Sequence, residues 1–249
     1  MPDHEPDVVR EMTEIDVPGS DPMPTYTARP AAGRDAGGTV LVGMELFGLS
    51  AHVRQVCDRL AAAGYLAVAP NLFHRSTPDT ELPVDDAGRE RGFALLGQLT
   101  RDDALADIAA ALHWIDAGRP RLLGMVGLSV GGHVAYLAAT RFAIPVVAVC
   151  YGGWIPTTDV PISRPEPTLA RTPGIHGRIE FYVGADDPIV PADHRRQVAA
   201  ALAAAGVDFD LLEYPGVGHG FLCADRPGYA AEAATDTWAR LLRSLAAVA

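Results

Sequence analysis

Short apolar runs alternate with helix-like segments along most of this 249-residue chain. Runs such as GGTVLVGM (37–44), YLAVAP (65–70) and PVVAVCYG (145–152) contain β-branched residues and no charge, which is typical of strands buried on both faces. Strands that alternate with helices predict a mostly parallel sheet with helices on both faces. The sequence therefore predicts the α/β class, with about seven to eight strands in the sheet.

The same alternation places the other elements. Residues 8–30 are predicted to form two short strands around a Gly/Pro turn, and further strands are expected at 122–127, 178–184 and 207–215. Helices are predicted at 50–64, 87–117 with a break near Gly97, 131–141, 191–206 and 228–247. The irregular stretch 153–174 contains five prolines and would suit a linker between domains. We interpret it as an insertion into one domain covering residues 1–249, because strands and helices resume after it.

Composition excludes several classes of function. The formal net charge is −11, which argues against a nucleic-acid partner. All 20 basic residues are arginine, so a lysine Schiff base and a P-loop lysine are excluded. The three cysteines form no C-x-x-C motif, and no spacing of histidines and carboxylates indicates a metal site. We therefore expect no metal ion and no organic cofactor.

The amino terminus, MPDHEPDVVREM, is acidic and lacks the apolar core of a signal peptide. No apolar run in the sequence approaches the length of a membrane span. The expectation is a cytoplasmic protein without a membrane partner. The sequence does not distinguish a monomer from a homodimer.

The stretch GMVGLSVGGH (124–133) places a serine between glycines, where a predicted strand ends and a helix begins. Gly127, Ser129 and Gly131 fit the G-x-S-x-G nucleophile elbow, in which a strained turn exposes the serine hydroxyl. The N–H groups at the start of the following helix would favour a developing anion. The alternative at this point is a glycine-rich turn in which Ser129 only caps the helix.

A serine nucleophile needs a base, because its hydroxyl reacts poorly at neutral pH, and the base needs an acid to orient it. His219 lies in YPGVGHGF (214–221), a glycine-rich loop after the last predicted strand. Asp186 and Asp187 lie in YVGADDPIVP (182–191), also just after a strand, where a turn or capping pair is the alternative. Serine, aspartate and histidine then follow one another in the chain order of α/β-hydrolases.

Together these motifs make the sequence resemble the dienelactone hydrolase family over most of its length. The resemblance rests on GMELFG (43–48), APNLFHR (69–75), GLSVGG (127–132), VGADDPIVP (183–191) and YPGVGHGF (214–221). It implies the α/β-hydrolase fold, and it selects Asp187 over Asp186 because the family's acid occupies the D-x-x-V-P position. It also implies an oxyanion hole formed by the backbone N–H groups of Leu46 and Val130.

The chain departs from the family pattern at two places. The founding dienelactone hydrolases use a cysteine nucleophile, which the glutamate matching Glu45 helps to activate, whereas this chain has Ser129. With a serine, Glu45 would orient the Leu46 loop, bond to Ser129 or serve as a buried structural carboxylate. The family also holds a substrate carboxylate with two arginines. Arg75 matches the first of these, but Cys223 stands at the position of the second.

Arg226 lies near that second position but out of register, so substrates without a carboxylate are also compatible with the sequence. Arg75 would then be an ordinary structural arginine. Tyr151 lies at the end of the predicted strand at 145–152 and Trp154 lies just after it, and both either line the substrate pocket or pack in the core.

These residues predict a hydrolase of carboxylic ester or lactone bonds, with a small-molecule substrate. Ser129, His219 and Asp187 would form a catalytic triad that works through an acyl-enzyme. An acyltransferase or thioesterase would use the same triad. A ligand-binding protein built on a hydrolase fold is the non-enzymatic alternative, since a fold does not fix a function.

Overall fold

A computed structural model of the protein describes residues 8–31 and 36–249, so that the extreme amino terminus lies outside the described residues. The strands are β1 (Val8–Ile15), β2 (Met23–Pro30), β3 (Thr39–Gly43), β4 (Leu66–Pro70), β5 (Leu122–Leu128), β6 (Val146–Cys150), β7 (Arg178–Gly184) and β8 (Phe209–Tyr214). The α-helices are α1 (Ala51–Ala62), α2 (Asp86–Leu96), α3 (Arg101–Asp116), α4 (Val130–Ala139), α5 (Ala192–Ala204) and α6 (Ala231–Val248).

The strands form one eight-stranded sheet in the order β1-β2-β4-β3-β5-β6-β7-β8. Pairing is parallel from β4 to β8, while β2 runs antiparallel to both β1 and β4. The predicted α/β class with a mostly parallel sheet is therefore confirmed. The antiparallel edge follows from the tight VPGSDP turn, which joins β1 to β2 as a hairpin with no crossover helix.

The apolar runs form the centre of the sheet. Strands β3, β4 and β6 are buried at every position, as expected for strands with helices or chain on both faces. The predicted helical break near Gly97 is also confirmed, because Gly97 ends α2 and the Thr100 hydroxyl accepts a hydrogen bond from the Asp103 N–H at the start of α3.

Residues 153–174 lie between β6 and β7 and contain two short 3-10 helices, Pro161–Ser163 and Thr168–Gly174. Two buried side chains bind this segment to the rest of the fold. Arg101 of α3 forms an ion pair with Glu166, and His133 of α4 contacts the Gly153 carbonyl and the Thr168 hydroxyl. The segment is therefore irregular, as predicted, but fixed in position by hydrogen bonds.

The carboxyl ends of five strands bring together the loops that carry most of the predicted site residues. Loops after β3, β5, β6, β7 and β8 contain Leu46, Ser129, Tyr151, Asp187 and His219 respectively. Ligands of open α/β sheets bind at this edge. In the part of the chain that the structure describes, no helix is both long and apolar enough to span a membrane.

Candidate active site

Ser129 occupies a strained turn between β5 and α4. Its φ of 55° and ψ of −110° lie in a region that residues with a Cβ rarely adopt, at a cost on the order of 1–3 kcal/mol. The Ser129 N–H donates to the Cys150 carbonyl at 3.0 Å. A Cβ on Gly127 would lie 2.1 Å from the Gly131 carbonyl oxygen, and one on Gly131 would lie 2.2 Å from the Gly43 backbone. The flanking glycines are therefore required for this close packing.

A continuous chain of hydrogen bonds joins Ser129, His219 and Asp187. Ser129 Oγ lies 2.9 Å from His219 Nε2, and His219 Nδ1 lies 2.8 Å from Asp187 Oδ2. Because a carboxylate only accepts, Nδ1–H donates to Asp187 in the neutral imidazole, which leaves Nε2 to accept from the serine hydroxyl. Asp187 is buried and its Oδ1 accepts the Ile189 N–H at 2.8 Å, whereas Asp186 is exposed.

The helix-cap alternative for Ser129 is also decided by geometry. Ser129 does occupy the N-cap position of α4, but its side chain makes no capping hydrogen bond. Its hydroxyl points to His219 instead. This arrangement leaves the first N–H groups of α4 free of a side-chain cap, at the helix end that favours negative charge.

Ser129 and His219 line a cavity of about 520 Å³, and Leu46 and Val130 line the same cavity. Neither the Leu46 N–H nor the Val130 N–H donates to a backbone carbonyl within the described residues. Two N–H groups without a backbone acceptor, on residues that line the same cavity as a serine hydroxyl, are what an oxyanion hole needs. Within the described residues, no three histidine, cysteine, aspartate or glutamate side chains cluster as metal ligands.

Glu45 is buried in the cavity wall and pairs with an arginine, not with Ser129. Its Oε2 lies 2.6 Å from Arg226 Nη2, and its Oε1 lies 3.7 Å from His52 Nε2. The Arg226 guanidinium also lies over the Phe47 ring, 5.0 Å from its centroid. Burial, the largest effect, lowers the pKa of His52 below its usual value, while the Glu45 charge acts in the opposite direction. His52 is therefore neutral near pH 7, and the ion pair is between Glu45 and Arg226.

Arg75 does not line the cavity. Its Nη1 lies 2.5 Å from Asp107 Oδ1 and its Nε lies 3.5 Å from Asp103 Oδ1, so that the guanidinium is committed to α3. Cys223, at the second expected clamp position, is buried. Arg75 is thus an arginine paired with α3, as the alternative expectation had it, and neither Arg75 nor Cys223 lines the cavity.

Two further arginines line the cavity, Arg226 and Arg89. The sequence marked Arg226 only as lying near the second clamp position but out of register, and it did not identify Arg89, which lies in α2 far from any motif. No local sequence signal places either side chain in the cavity, because that depends on how the loop after β8 and helix α2 pack at the cavity entrance.

Tyr151 and Trp154 both line the cavity, and both have positive φ, 45° and 59°. The Tyr151 ring meets the His219 ring edge-on, with 5.1 Å between centroids. Tyr151 is 1% exposed, its hydroxyl has no hydrogen-bond partner within the described residues, and burial raises its pKa well above the usual value. Trp154 packs edge-on against Phe93 of α2 at 6.5 Å. Both residues therefore belong to the cavity wall.

Comparisons with known proteins show which family the chain is similar to. Residues 23–249 match the family model described as "Dienelactone hydrolase family". A Synechocystis protein named "Putative carboxymethylenebutenolidase" is 32% identical over 209 residues, 81% of this chain and 82% of that protein. The "Carboxymethylenebutenolidase" of Pseudomonas putida is 28% identical over 213 residues, 83% of this chain and 84% of that protein. The crystal structure of a "Putative Dienelactone Hydrolase" from Klebsiella pneumoniae has a TM-score of 0.85 at 28% identity, and covers 96% of this chain and 99% of that chain.

Proposed function

Because this chain belongs to the dienelactone hydrolase family, we propose that it is a serine hydrolase that cleaves carboxylic ester or lactone bonds. The proposed catalytic residues are Ser129, His219 and Asp187. The observation that supports this most directly is the unbroken hydrogen-bonded chain from Asp187 through His219 to Ser129, which ends inside a cavity. Nucleophile, base and orienting acid in that order are the arrangement of a Ser-His-Asp triad, which performs acyl transfer.

In the first proposed step, Ser129 Oγ attacks the substrate carbonyl carbon while His219 Nε2 takes the hydroxyl proton. A tetrahedral oxyanion forms, and the Leu46 and Val130 N–H groups donate to it. As the bond from carbon to the leaving oxygen breaks, His219 returns its proton to that oxygen. The products are an alcohol and an acyl-enzyme ester on Ser129; for a lactone, the alcohol remains part of the acyl group.

In the second step, water repeats the attack. His219 Nε2 takes a proton from water, whose oxygen adds to the acyl carbon, and the same N–H groups hold the oxyanion. Collapse expels Ser129 Oγ, which recovers its proton from His219. Asp187 stays ionised throughout and stabilises the imidazolium that forms in each step. All of these steps use groups of the protein and water.

We also propose that residues 153–174 are an insertion within one domain. The strands on either side of the segment, β6 and β7, pair directly in the same sheet. Trp154, at the start of the segment, lines the cavity. The insertion would then contribute one wall of the substrate site.

The test is hydrolysis of short aryl esters, simple lactones and a dienelactone by the wild type, Ser129→Ala and Ser76→Ala. Ser76 is exposed and does not line the cavity, so its substitution controls for the loss of a serine hydroxyl elsewhere in the protein. We expect turnover by the wild type and Ser76→Ala, and a loss of about 10⁴-fold or more in Ser129→Ala. Turnover that survives in a folded Ser129→Ala would overturn the proposed triad.

A further inference from the structure

The mouth of the cavity carries apolar side chains that face solvent. Val84 is 55% exposed and Phe93 is 44% exposed, and both line the cavity. They are two of only four large hydrophobic side chains that are exposed among the described residues. Trp154 and Ile189 line the same cavity. Large apolar side chains gathered at a cavity mouth are typical of a surface that binds the apolar part of a ligand.

Arg89 lies within this apolar rim. It stands four residues before Phe93 on α2, so that both side chains lie on one face of the helix, and both line the cavity. Within the described residues, no hydrogen bond or ion pair engages its guanidinium. The neighbouring Arg91 differs in this respect, since its Nη2 lies 2.8 Å from Asp79 Oδ2.

The other arginine of the cavity is not free to bind an anion without losing a partner. Arg226 lies 2.6 Å from the buried Glu45 carboxylate, which neutralises it. Arg75, the residue that the family resemblance proposes for substrate binding, is paired with Asp107 outside the cavity. Arg89 is therefore the cavity's uncommitted cation in the described part of the chain, and it lies on the α2 side of the mouth.

Building on the proposed function, we propose that Arg89 is a specificity-determining residue. It selects esters or lactones that carry an anionic group remote from the scissile carbonyl, joined to it by an apolar body. The apolar body packs against Val84, Phe93 and Trp154, and the anionic group pairs with the Arg89 guanidinium. This site differs from a clamp at positions 75 and 223, because both of those side chains are buried or committed elsewhere.

The expected effect is moderate and depends on salt. A charge-assisted contact at a partly exposed rim is worth roughly tenfold in kcat/KM at low ionic strength. The advantage falls as salt is added, since the screening length shrinks from about 10 Å at 0.1 M to about 3 Å at 1 M. The preference for the charged ester should appear as a lower KM with kcat unchanged. The reason is that the contact is remote from the reacting atoms and is made equally in the ground state and the transition state.

The experiment compares matched pairs of esters that differ only in a terminal charge. One set places the charge on the acyl side: aryl half-esters of adipate and suberate against the aryl esters of hexanoate and octanoate. A second set places it on the alcohol side: carboxyphenyl butyrate against phenyl butyrate. Each pair is measured with the wild type, Arg89→Ala, Arg89→Glu and the control Arg91→Ala, at low and high salt, with spontaneous hydrolysis subtracted.

We expect the wild type to favour the carboxylate ester of at least one set about tenfold over its neutral partner, through KM. Arg89→Ala should remove that preference, Arg89→Glu should reverse it, and Arg91→Ala should retain it. The preference is the ratio of kcat/KM for the charged ester to kcat/KM for its neutral partner within each protein, so that a general change in activity cancels. No charge preference in either set, or an equal loss in Arg91→Ala, would overturn the role of Arg89. Absence of Ser129-dependent cleavage of the neutral esters would instead refute the proposed function.

Discussion

The backbone at Ser129 is held in an unfavourable conformation by its surroundings. A φ of 55° for a residue with a Cβ persists only when neighbouring contacts determine it, here the hydrogen bond to Cys150 and the close packing of Gly127 against Gly131. The strain turns the hydroxyl away from the helix N–H groups and towards His219. The backbone conformation of this one residue thus decides whether its hydroxyl bonds to His219 or caps the helix.

Asp187→Asn is predicted to remove most activity without unfolding the protein. An amide has an N–H₂ group that can donate to His219 Nδ1, which then favours the tautomer with its proton on Nε2, the wrong one for a base. We expect kcat to fall about 10³- to 10⁴-fold. The measurement is steady-state kinetics with the best ester of the panel, together with thermal unfolding.

Asp186→Asn is the matched control for that substitution. Asp186 is the preceding residue and is exposed, so the same chemical change there should leave kcat within about twofold of the wild type. If Asp186→Asn were the damaging variant and Asp187→Asn the harmless one, the acid would be assigned to the wrong residue.

At this scale the sequence carried more information about the proposed triad than about the binding residues. Ser129 and His219 each follow a strand within a recognisable motif, whereas local pattern left Asp186 and Asp187 open and the family resemblance selected Asp187. Arg75 matched a motif too, but its partner Asp107 is 32 residues away and no local pattern reveals that pairing. The partner of a long, flexible side chain such as that of Arg75 is determined by the tertiary structure.

Helix α2 packs directly on the loop that carries the proposed Leu46 donor. A Cβ on Gly92 would lie 2.6 Å from the Leu46 carbonyl oxygen and 2.7 Å from its Cγ. Real Cβ atoms do not approach so closely, and glycine here lets the helix fix the loop's position. The same helix carries Arg89 and Phe93, so one element contributes both to the loop and to the mouth.

Gly92→Ala is predicted to lower kcat about 10- to 100-fold, less than the roughly 100- to 1,000-fold loss that follows complete removal of an oxyanion donor. The added methyl group pushes the Leu46 peptide away from the oxyanion, while the apolar mouth still binds substrate. We therefore expect KM to change far less than kcat. Steady-state kinetics on a neutral aryl ester measures both.

Gly97→Ala controls for the loss of a glycine from the same helix. Gly97 has φ of −65°, and a Cβ there would meet nothing closer than 3.4 Å. Its kinetics should match the wild type. Equal losses of kcat in the two variants, or a loss in Gly92→Ala confined to KM, would speak against the packing of α2 as the support of the Leu46 donor.

The elements themselves were the most predictable part of the molecule. Strands β3, β4 and β6 are buried at every position, and strands of this kind appear in the sequence as continuous apolar runs. The two 3-10 helices at Pro161–Ser163 and Thr168–Gly174 were not predicted, because segments of three and seven residues are too short to show a clear hydrophobic period.

On the scale of the whole molecule, a buried histidine joins α4 to the segment that follows β6. His133 Nδ1 lies 2.8 Å from the Gly153 carbonyl and its Nε2 lies 2.7 Å from Thr168 Oγ1. A carbonyl only accepts, so Nδ1 carries the proton and Nε2 accepts from the hydroxyl in the neutral ring. Burial lowers the pKa of His133 to about 4, with the nearby Arg101 charge acting in the same direction.

Because His133 is buried in its neutral form, we predict that the folded protein loses stability in acid. Its pKa of about 4 in the folded protein lies below the ordinary histidine pKa of 6.5, so the unfolded chain binds the proton more readily between these two values. The free energy of unfolding therefore falls as the pH drops from 6.5 towards 4, by about 1.4 kcal/mol per pH unit at most and about 3 kcal/mol in total.

The measurement is denaturant unfolding of the wild type and His133→Gln across this pH range. The difference between the two free energies of unfolding isolates the contribution of His133. Other titrating groups affect both proteins and cancel in the difference. The gap between the two unfolding free energies should narrow on acidification, since only the wild type loses the histidine's contribution. A gap that stays constant from pH 6.5 to 4 would contradict the assignment.

The α/β architecture was predictable from the alternation of strands and helices along the chain, but the arrangement of the strands in the sheet was not. Strand order and the meeting of five loops at one edge depend on pairing between distant segments, for which the sequence carries only general topological rules. The fixing of residues 153–174 depends on Arg101 and Glu166, which are 65 positions apart. Such contacts form between segments that are distant in the chain, so they cannot be predicted from local sequence patterns.

The central claim is that Ser129 carries the acyl group, and covalent labelling tests it most directly. The intact mass of the protein is measured after reaction with a small fluorophosphonate, and the labelled peptide is then sequenced, for the wild type and for Ser129→Ala. We predict a single adduct on Ser129 in the wild type and none in Ser129→Ala. An unlabelled wild type that still cleaves esters, or an adduct on another residue that persists in Ser129→Ala, would contradict the account.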